Sequence, residues 1–382
     1  MKFFTLAVFL STLAVSTFAN WGDHLQDIGA PNYTCDPVLF KKSATVPTSV
    51  HSLRPGDIKH VMALGDSLTA ANGAGAEDPV SILLQYRGLA FLAGGDKGLE
   101  NHITIPNILK KYNNNLFGYS LGIGSPDVWP VSYLNAAVPG AVASDLLGQA
   151  RDLVHKIKSH SDIIDSENDW KLLNIFIGGN DACHFCNHPQ DSAKTFADQI
   201  GEAIQFIKDN VPRVIVSLTG MLHLEMVRQI DRNEFFCQAL HVDECHCESD
   251  ANYTSSQIFK LCNDMQDAEA ELMTSGQFDT TDDFTLVVQP FLKKTVNPPK
   301  LSNGTVDISF FAPDCFHFSQ KGHAIVSSHL WKNMVEPVGS KTEKVNLSSP
   351  SLPLACPDKS CPFIRTTKNS KDCSKYYTSP AN

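Results

Sequence analysis

A chain of 382 residues is long enough for one large α/β domain, and a formal charge of −10 without any basic stripe argues against nucleic acid as a partner. Eleven cysteines, if exported to an oxidising compartment, should mostly pair, and an odd count leaves at least one free or bonded to another chain.

The first residues read as an export signal. Lys2 precedes an apolar run from Phe3 to Val15, and small residues at Thr17 and Ala19 supply a cleavage site before the polar Asn20. That run is shorter than the roughly 20 apolar residues a membrane span needs. The expected division is a signal peptide over 1–19, one catalytic-sized domain over 20–337 with a cysteine-rich excursion at about 221–254, and a cysteine-containing tail over 338–382 packed on the domain. No later stretch is apolar enough to cross a bilayer, and the tail lacks the hydrophobic end of a lipid-anchor signal, so a secreted, extracellular protein without a transmembrane anchor is expected. Sequons at Asn32, Asn252, Asn303 and Asn346 are glycosylation candidates in that setting.

Short apolar runs at 59–64, 132–137, 172–177, 213–218 and 284–289 alternate with helical stretches at 143–159, 193–209, 255–273 and 323–334. The pattern predicts a mostly parallel five-stranded sheet covered on both faces. The excursion at 221–254 interrupts the alternation and carries Cys237, Cys245 and Cys247. Cys183, His184, Cys186 and His188, with Cys245-His246-Cys247, have the spacing of zinc ligands. A disulfide-stapled loop is the preferred reading given the export signal.

The chemistry-bearing residues come in four places. Gly65-Asp66-Ser67 ends the first strand, where a nucleophile would face the crevice in which open α/β sheets bind ligands; its plain alternative is a helix N-cap. Asn135 to Ala141 ends the second run at Gly140, whose backbone N–H could approach a substrate, or which simply makes a turn. Gly178-Gly179-Asn180-Asp181 ends the third, where the Asn180 amide could stabilise an oxyanion, or again make a turn. Asp314 precedes His317 by three residues, a spacing that lets a carboxylate orient an imidazole within one loop. His323 reads as structural. A rival nucleophile, Ser120 in Gly118-Tyr119-Ser120-Leu121-Gly122, lacks the strand-turn-helix context such an elbow needs.

The order Ser67, Gly140, Asn180, Asp314/His317 resembles that of the GDSL, or SGNH, hydrolases. The resemblance narrows to the animal phospholipase B group through the stretch from Pro47 to Ile58, the Gly65 to Ala70 block, Thr104 to Lys111, Asp169 to Leu172, Gly178 to Asp181 and Asp314 to Gln320. It covers about Cys35 to about Ser370 and matches one repeat of a family whose intestinal mammalian member has tandem repeats and an anchor. It departs at Ala71, where a Gly is expected.

The resemblance implies a flavodoxin-like three-layer α/β/α fold and an acyl-serine mechanism without metal or organic cofactor. Ser67, Asp314 and His317 are then the triad, and Ser67, Gly140 and Asn180 the oxyanion hole. It implies phospholipid and lysophospholipid substrates, with transient contact at a lipid surface. The alternatives are an esterase of acylglycerols or acetylated carbohydrates, favoured if the site is an open polar groove, and a lipid-binding protein without turnover. An excursion apolar towards the site would favour lipids.

Overall fold

The computed structural model describes residues 25–78, 80–187, 192–231, 235–348 and 354–382. The expected signal peptide and His188 lie outside the described residues.

Four strands form one parallel sheet in the order β1-β2-β3-β4: β1 (Ile58–Gly65), β2 (Trp170–Phe176), β3 (Val214–Thr219) and β4 (Phe284–Gln289). Every residue of β2, β3 and β4 is buried, because parallel strands covered on both faces have no solvent side. Even Lys171 lies inside β2, and its ammonium donates to the carbonyls of Ser166, Asp169 and Pro212 at 2.6, 2.7 and 2.9 Å.

The expected fifth strand is a correction. Segment 132–137 lies along the open edge of β1, with Ala63 N–H donating to Leu134 O at 3.0 Å and Ala136 N–H to Ala63 O at 2.9 Å. It makes only an isolated bridge, between Asn135 and Ala63. A helical turn, Trp129–Ser132, occupies its start, and Tyr133 then turns to φ +42°. Too few extended residues remain for a ladder. With this segment beside β1, the spatial order is nonetheless flavodoxin-like.

Helices α1 (Leu146–Ser159), α2 (Gly179–His184), α3 (Ala193–Asn210), α4 (Glu225–Asp231), α5 (Phe235–Glu244), α6 (His246–Ser249), α7 (Ser255–Thr274) and α8 (Gln320–Val335) complete the domain. The four long helices fall where the sequence places them, although α8 starts three residues earlier than expected. The helices α1, α3 and α7 pack side by side, while α8 packs on β4 and on the short helix Ile105–Leu109. Ser192, Thr254 and Ser319 cap α3, α7 and α8 by accepting the N–H of Thr195, Gln257 and Gly322. Each cap contributes about 1 kcal/mol. The Ser319 cap also fixes where the chain leaves the loop that holds His317.

The excursion after β3 is helical, formed by α4, α5 and α6, and it is stapled. Cys183–Cys245 and Cys186–Cys247 join α2 and the turn after it to this region, and Cys237–Cys315 joins α5 to the His317 loop. Cys35–Cys356 and Cys361–Cys373 secure the ends. The unpaired cysteine is Cys262, buried in α7. The sulfurs weighed as zinc ligands are therefore engaged in disulfides. All four sequon asparagines are exposed.

Candidate active site

Strand β1 ends beneath the end of β2. A Cβ at Gly65 would sit 2.4 Å from Phe176 O, so no side chain fits there. The Gln149 side chain clamps this residue from α1, accepting Gly65 N–H at 2.9 Å and donating to Gly65 O at 2.8 Å. The next two residues leave the sheet at its carboxyl edge. Asp66 turns inward and accepts the Leu68 N–H at 2.9 Å, while Ser67 stays 8 % exposed.

Ser67 meets the loop before α8. Its Oγ lies 2.8 Å from His317 Nε2, and His317 Nδ1 lies 2.6 Å from Asp314 Oδ2. Asp314 is fully buried, and its other oxygen accepts the N–H of both Phe316 and His317 at 3.0 Å. Burial alone would raise the Asp314 pKa, but the His317 hydrogen bond, its charge and the two amides outweigh it, so the carboxylate stays ionised below its usual range. For His317, burial pulls downward, and the hydrogen bond to Asp314 and its charge outweigh it, so the pKa is raised. This chain of contacts can take a proton from the Ser67 hydroxyl and hold the resulting imidazolium.

Of the two turns singled out for an oxyanion, that of Asn180 shares the Ser67 cleft, whereas Gly140 lines a separate surface pocket with Val138, Asp145 and Gln149. Gly140 is exposed and has φ +78°, a left-handed conformation that favours glycine, while a Cβ there would meet nothing within 4 Å. Backbone conformation, and not crowding, explains this residue. Asn180, in the first turn of α2, donates from Nδ2 to Ala141 O at 2.9 Å. An amide nitrogen carries two N–H groups, so one remains for a ligand. Asp181 adds a second tie by accepting the Ala143 N–H at 3.1 Å.

The cleft at Ser67 is lined by Leu222, Leu224, Met226 and Val227 from the excursion and by Phe311, Phe316 and Phe318 from the segment that holds His317. Its cavity volume is about 20 Å³. The excursion is thus apolar towards the site, the condition set for lipid substrates.

Sequence reasoning missed two groups. Asp66 is buried beside the serine, and burial pushes its carboxyl up to about 7. The second is His241 in α5, whose Nε2 lies 3.0 Å from Asp314 O and whose Nδ1 lies 2.6 Å from Asp231 Oδ1. A carbonyl and a carboxylate only accept, so both ring nitrogens must donate and the ring is an imidazolium. Burial opposes that charge, but Asp231, Asp314 O and Glu244 outweigh it and raise the pKa. No local signal marks His241, because it meets Asp314 only when α5 folds back.

The remaining sequence readings resolve simply. Ser120 is fully buried and donates to Arg87 O at 2.8 Å. His323 is buried and accepts the Phe91 N–H on Nδ1 at 3.3 Å, a structural role. Ala71 takes φ +56°, so the loop keeps the shape a glycine would give it.

The model of the GDSL-like lipase/acylhydrolase family matches residues 61–330. The chain is 42 % identical over 347 residues to the membrane-associated phospholipase B1 of Mus musculus and 43 % identical over 336 residues to that of Homo sapiens. These matches cover 89 % and 86 % of this chain, which spans 23 % of the length of each relative.

Proposed function

The chain belongs to the GDSL-like lipase/acylhydrolase family, and from that premise we propose that it is a secreted serine ester hydrolase that removes acyl chains from phospholipids and lysophospholipids. The observation that carries this reading is the unbroken hydrogen-bond chain from Ser67 through His317 to Asp314, opening onto an apolar cleft.

In this mechanism Ser67 Oγ attacks the ester carbonyl as His317 Nε2 takes its proton, and Asp314 holds the imidazolium. The carbonyl oxygen becomes an oxyanion held by the Ser67 and Gly140 amides and the Asn180 side chain, each such donor contributing about 2.7–4 kcal/mol in the transition state. His317 returns the proton to the departing alcohol, leaving acyl-Ser67. Water, deprotonated by the same imidazole, then attacks the acyl carbon, and His317 hands that proton to Ser67 Oγ as the bond to the acyl carbon breaks and the fatty acid leaves. No metal or organic cofactor enters these steps. The disulfides support export, and Asn32, Asn252, Asn303 and Asn346 offer exposed sites for glycosylation in that setting.

The test is fatty-acid release from phosphatidylcholine with distinguishable acyl chains and from lysophosphatidylcholine by wild type, Ser67→Ala and Ser120→Ala. Release by wild type that Ser67→Ala alone abolishes is the expected result, with Ser120→Ala compared at equal folded concentration. Ser67-dependent cleavage of acylglycerols or acetylated sugars only would keep the mechanism and refute the substrate. Lipid retention without any product would favour a binding protein.

A further inference from the structure

Thirteen residues after the nucleophile the chain makes a short uncharged loop, Val80-Ser81-Ile82-Leu83-Leu84, whose apolar side chains point the wrong way for a core. Val80 and Leu83 are each 79 % exposed and Leu84 is 36 % exposed. The loop is nevertheless built: Asp78 Oδ1 accepts the N–H of Val80 at 2.8 Å and of Ser81 at 3.0 Å, and residues Ser81–Leu83 form a 3-10 turn. Adjacent large apolar side chains held out in water by an ordered turn cost stability, and such patches mark interaction surfaces.

The base of the loop belongs to the candidate active site. Gly73 N–H donates to Leu84 O at 3.0 Å, Tyr86 N–H to Ala71 O at 3.0 Å, and Asn72 N–H to Ser67 O at 2.9 Å. Around Gly73 the methyl of Ala312 and the backbone of Ile82 close in from two sides. Ala312 in turn donates its N–H to His317 O at 2.8 Å and follows Phe311, which lines the cleft. Packed apolar residues, Ile82 against Gly73 and Ala312 beside Phe311, therefore join the loop to the wall of the Ser67 cleft.

We infer that the loop at 80–84 is the surface by which the protein enters a zwitterionic lipid layer, so that the wall of the Ser67 cleft is brought against that layer. The inference rests on the phospholipid-hydrolase reading and gives it a docking face. The loop carries no charge, Glu77 and Asp78 precede it, the Arg87 that follows is buried on the carbonyls of Gly124, Asn135 and Ala137, and the whole chain has a formal charge of −10. Attraction to anionic headgroups therefore plays no part, and binding is apolar and insensitive to salt. Packing of the loop against the wall of an apolar cleft favours a lipid layer over a second protein.

The experiment compares wild type with Val80→Asp/Leu83→Asp on phosphatidylcholine vesicles and on a water-soluble short-chain ester. Binding is measured by co-sedimentation in a Ser67→Ala background so that the vesicles stay intact. Burial of these two side chains predicts a loss of vesicle affinity of at least about 100-fold, with a matching loss of vesicle hydrolysis. Turnover of the soluble ester should stay within about twofold. A milder pair, Val80→Ser/Leu83→Ser, should fall between. Unchanged vesicle binding would overturn the inference, as would equal loss on the soluble ester in both variants, or a wild-type dimer that the substitutions convert to monomer. Vesicle binding that depends on Val80 and Leu83, in a protein that cleaves no phospholipid, would uphold the surface and refute the substrate reading.

Discussion

Removing the Cys237–Cys315 disulfide separates two effects that the structure places at one residue. The bond closes a loop with a sequence separation of 78. Chain entropy for a loop of that size amounts to about 15 cal/mol/K, or about 4.5 kcal/mol at 25 °C. Cys315 also sits between Asp314 and His317 with φ +62°, a conformation that costs a non-glycine residue about 1–2 kcal/mol. Without the bond, alanine at 315 tends to leave that conformation and carries the Asp314/His317 pair with it, whereas glycine does not. Cys237→Ala/Cys315→Ala should therefore lose several kcal/mol in guanidinium titration and also lose kcat on a soluble ester. Cys237→Ala/Cys315→Gly should lose comparable stability but retain about 5- to 30-fold more activity. An unchanged denaturation midpoint would refute the entropic argument. Equal loss of kcat in both pairs, measured where each is folded, would refute the conformational one.

Three further outcomes test the site. Because His317 must be neutral to accept a proton and its pKa is raised, kcat/KM should climb with pH through a midpoint above the ordinary histidine value of about 6.5. Asp314→Asn should move that midpoint down and lower kcat by about 10⁴, and an upward shift in the pH-rate profile would contradict the assigned charge. Asn180→Ala should lower kcat by about 10²–10³ with little change in KM, and steady-state kinetics that put the loss in KM would remove the amide from the oxyanion hole. Asp66 is neutral in the fold up to about 7 and ordinarily ionises at 3.8, so the stability it contributes is complete below the unfolded value and disappears as pH rises through about 7. Asp66→Asn, which stays neutral, should gain on wild type across that window by up to about 4 kcal/mol, read as diverging guanidinium midpoints.

The sheet was legible where burial is complete. The runs that became β1 to β4 are mostly apolar, and β1, β2 and β3 each end at or just before a glycine that leads into the site or the excursion. The run at 132–137 carries the same kind of residues, but its strand is cut short by Tyr133 and by Asn135, whose backbone N–H donates to Ser132 O at 2.9 Å and whose carbonyl accepts from Arg87 at 3.1 Å instead of serving a ladder. Ser67, Asn180 and His317 could be singled out because each stands at a fixed offset from a strand end or a carboxylate, and the fold brings Ser67 Oγ and His317 Nε2 to 2.8 Å. Cysteine pairing was not legible, since eleven sulfurs allow many connectivities and spacing ranks none of them. His241 was hidden for a related reason: its partners, Asp231 and Asp314 O, come from different parts of the chain, and only the folded excursion brings them to one ring.

The Cys35–Cys356 bond, with a sequence separation of 321, makes the described chain nearly a closed ring. The backbone reinforces that closure, since Ala381 N–H donates to Lys42 O at 2.8 Å and Ala44 N–H to Ser379 O at 2.9 Å. A ring of this kind has its entry and exit at one point on its surface. It can be inserted in a longer polypeptide, or strung beside others, like a bead on a thread, with no strand of the sheet displaced. A protease that cuts one exposed loop within the ring opens it without releasing a fragment, so the halves stay tethered until a reductant arrives.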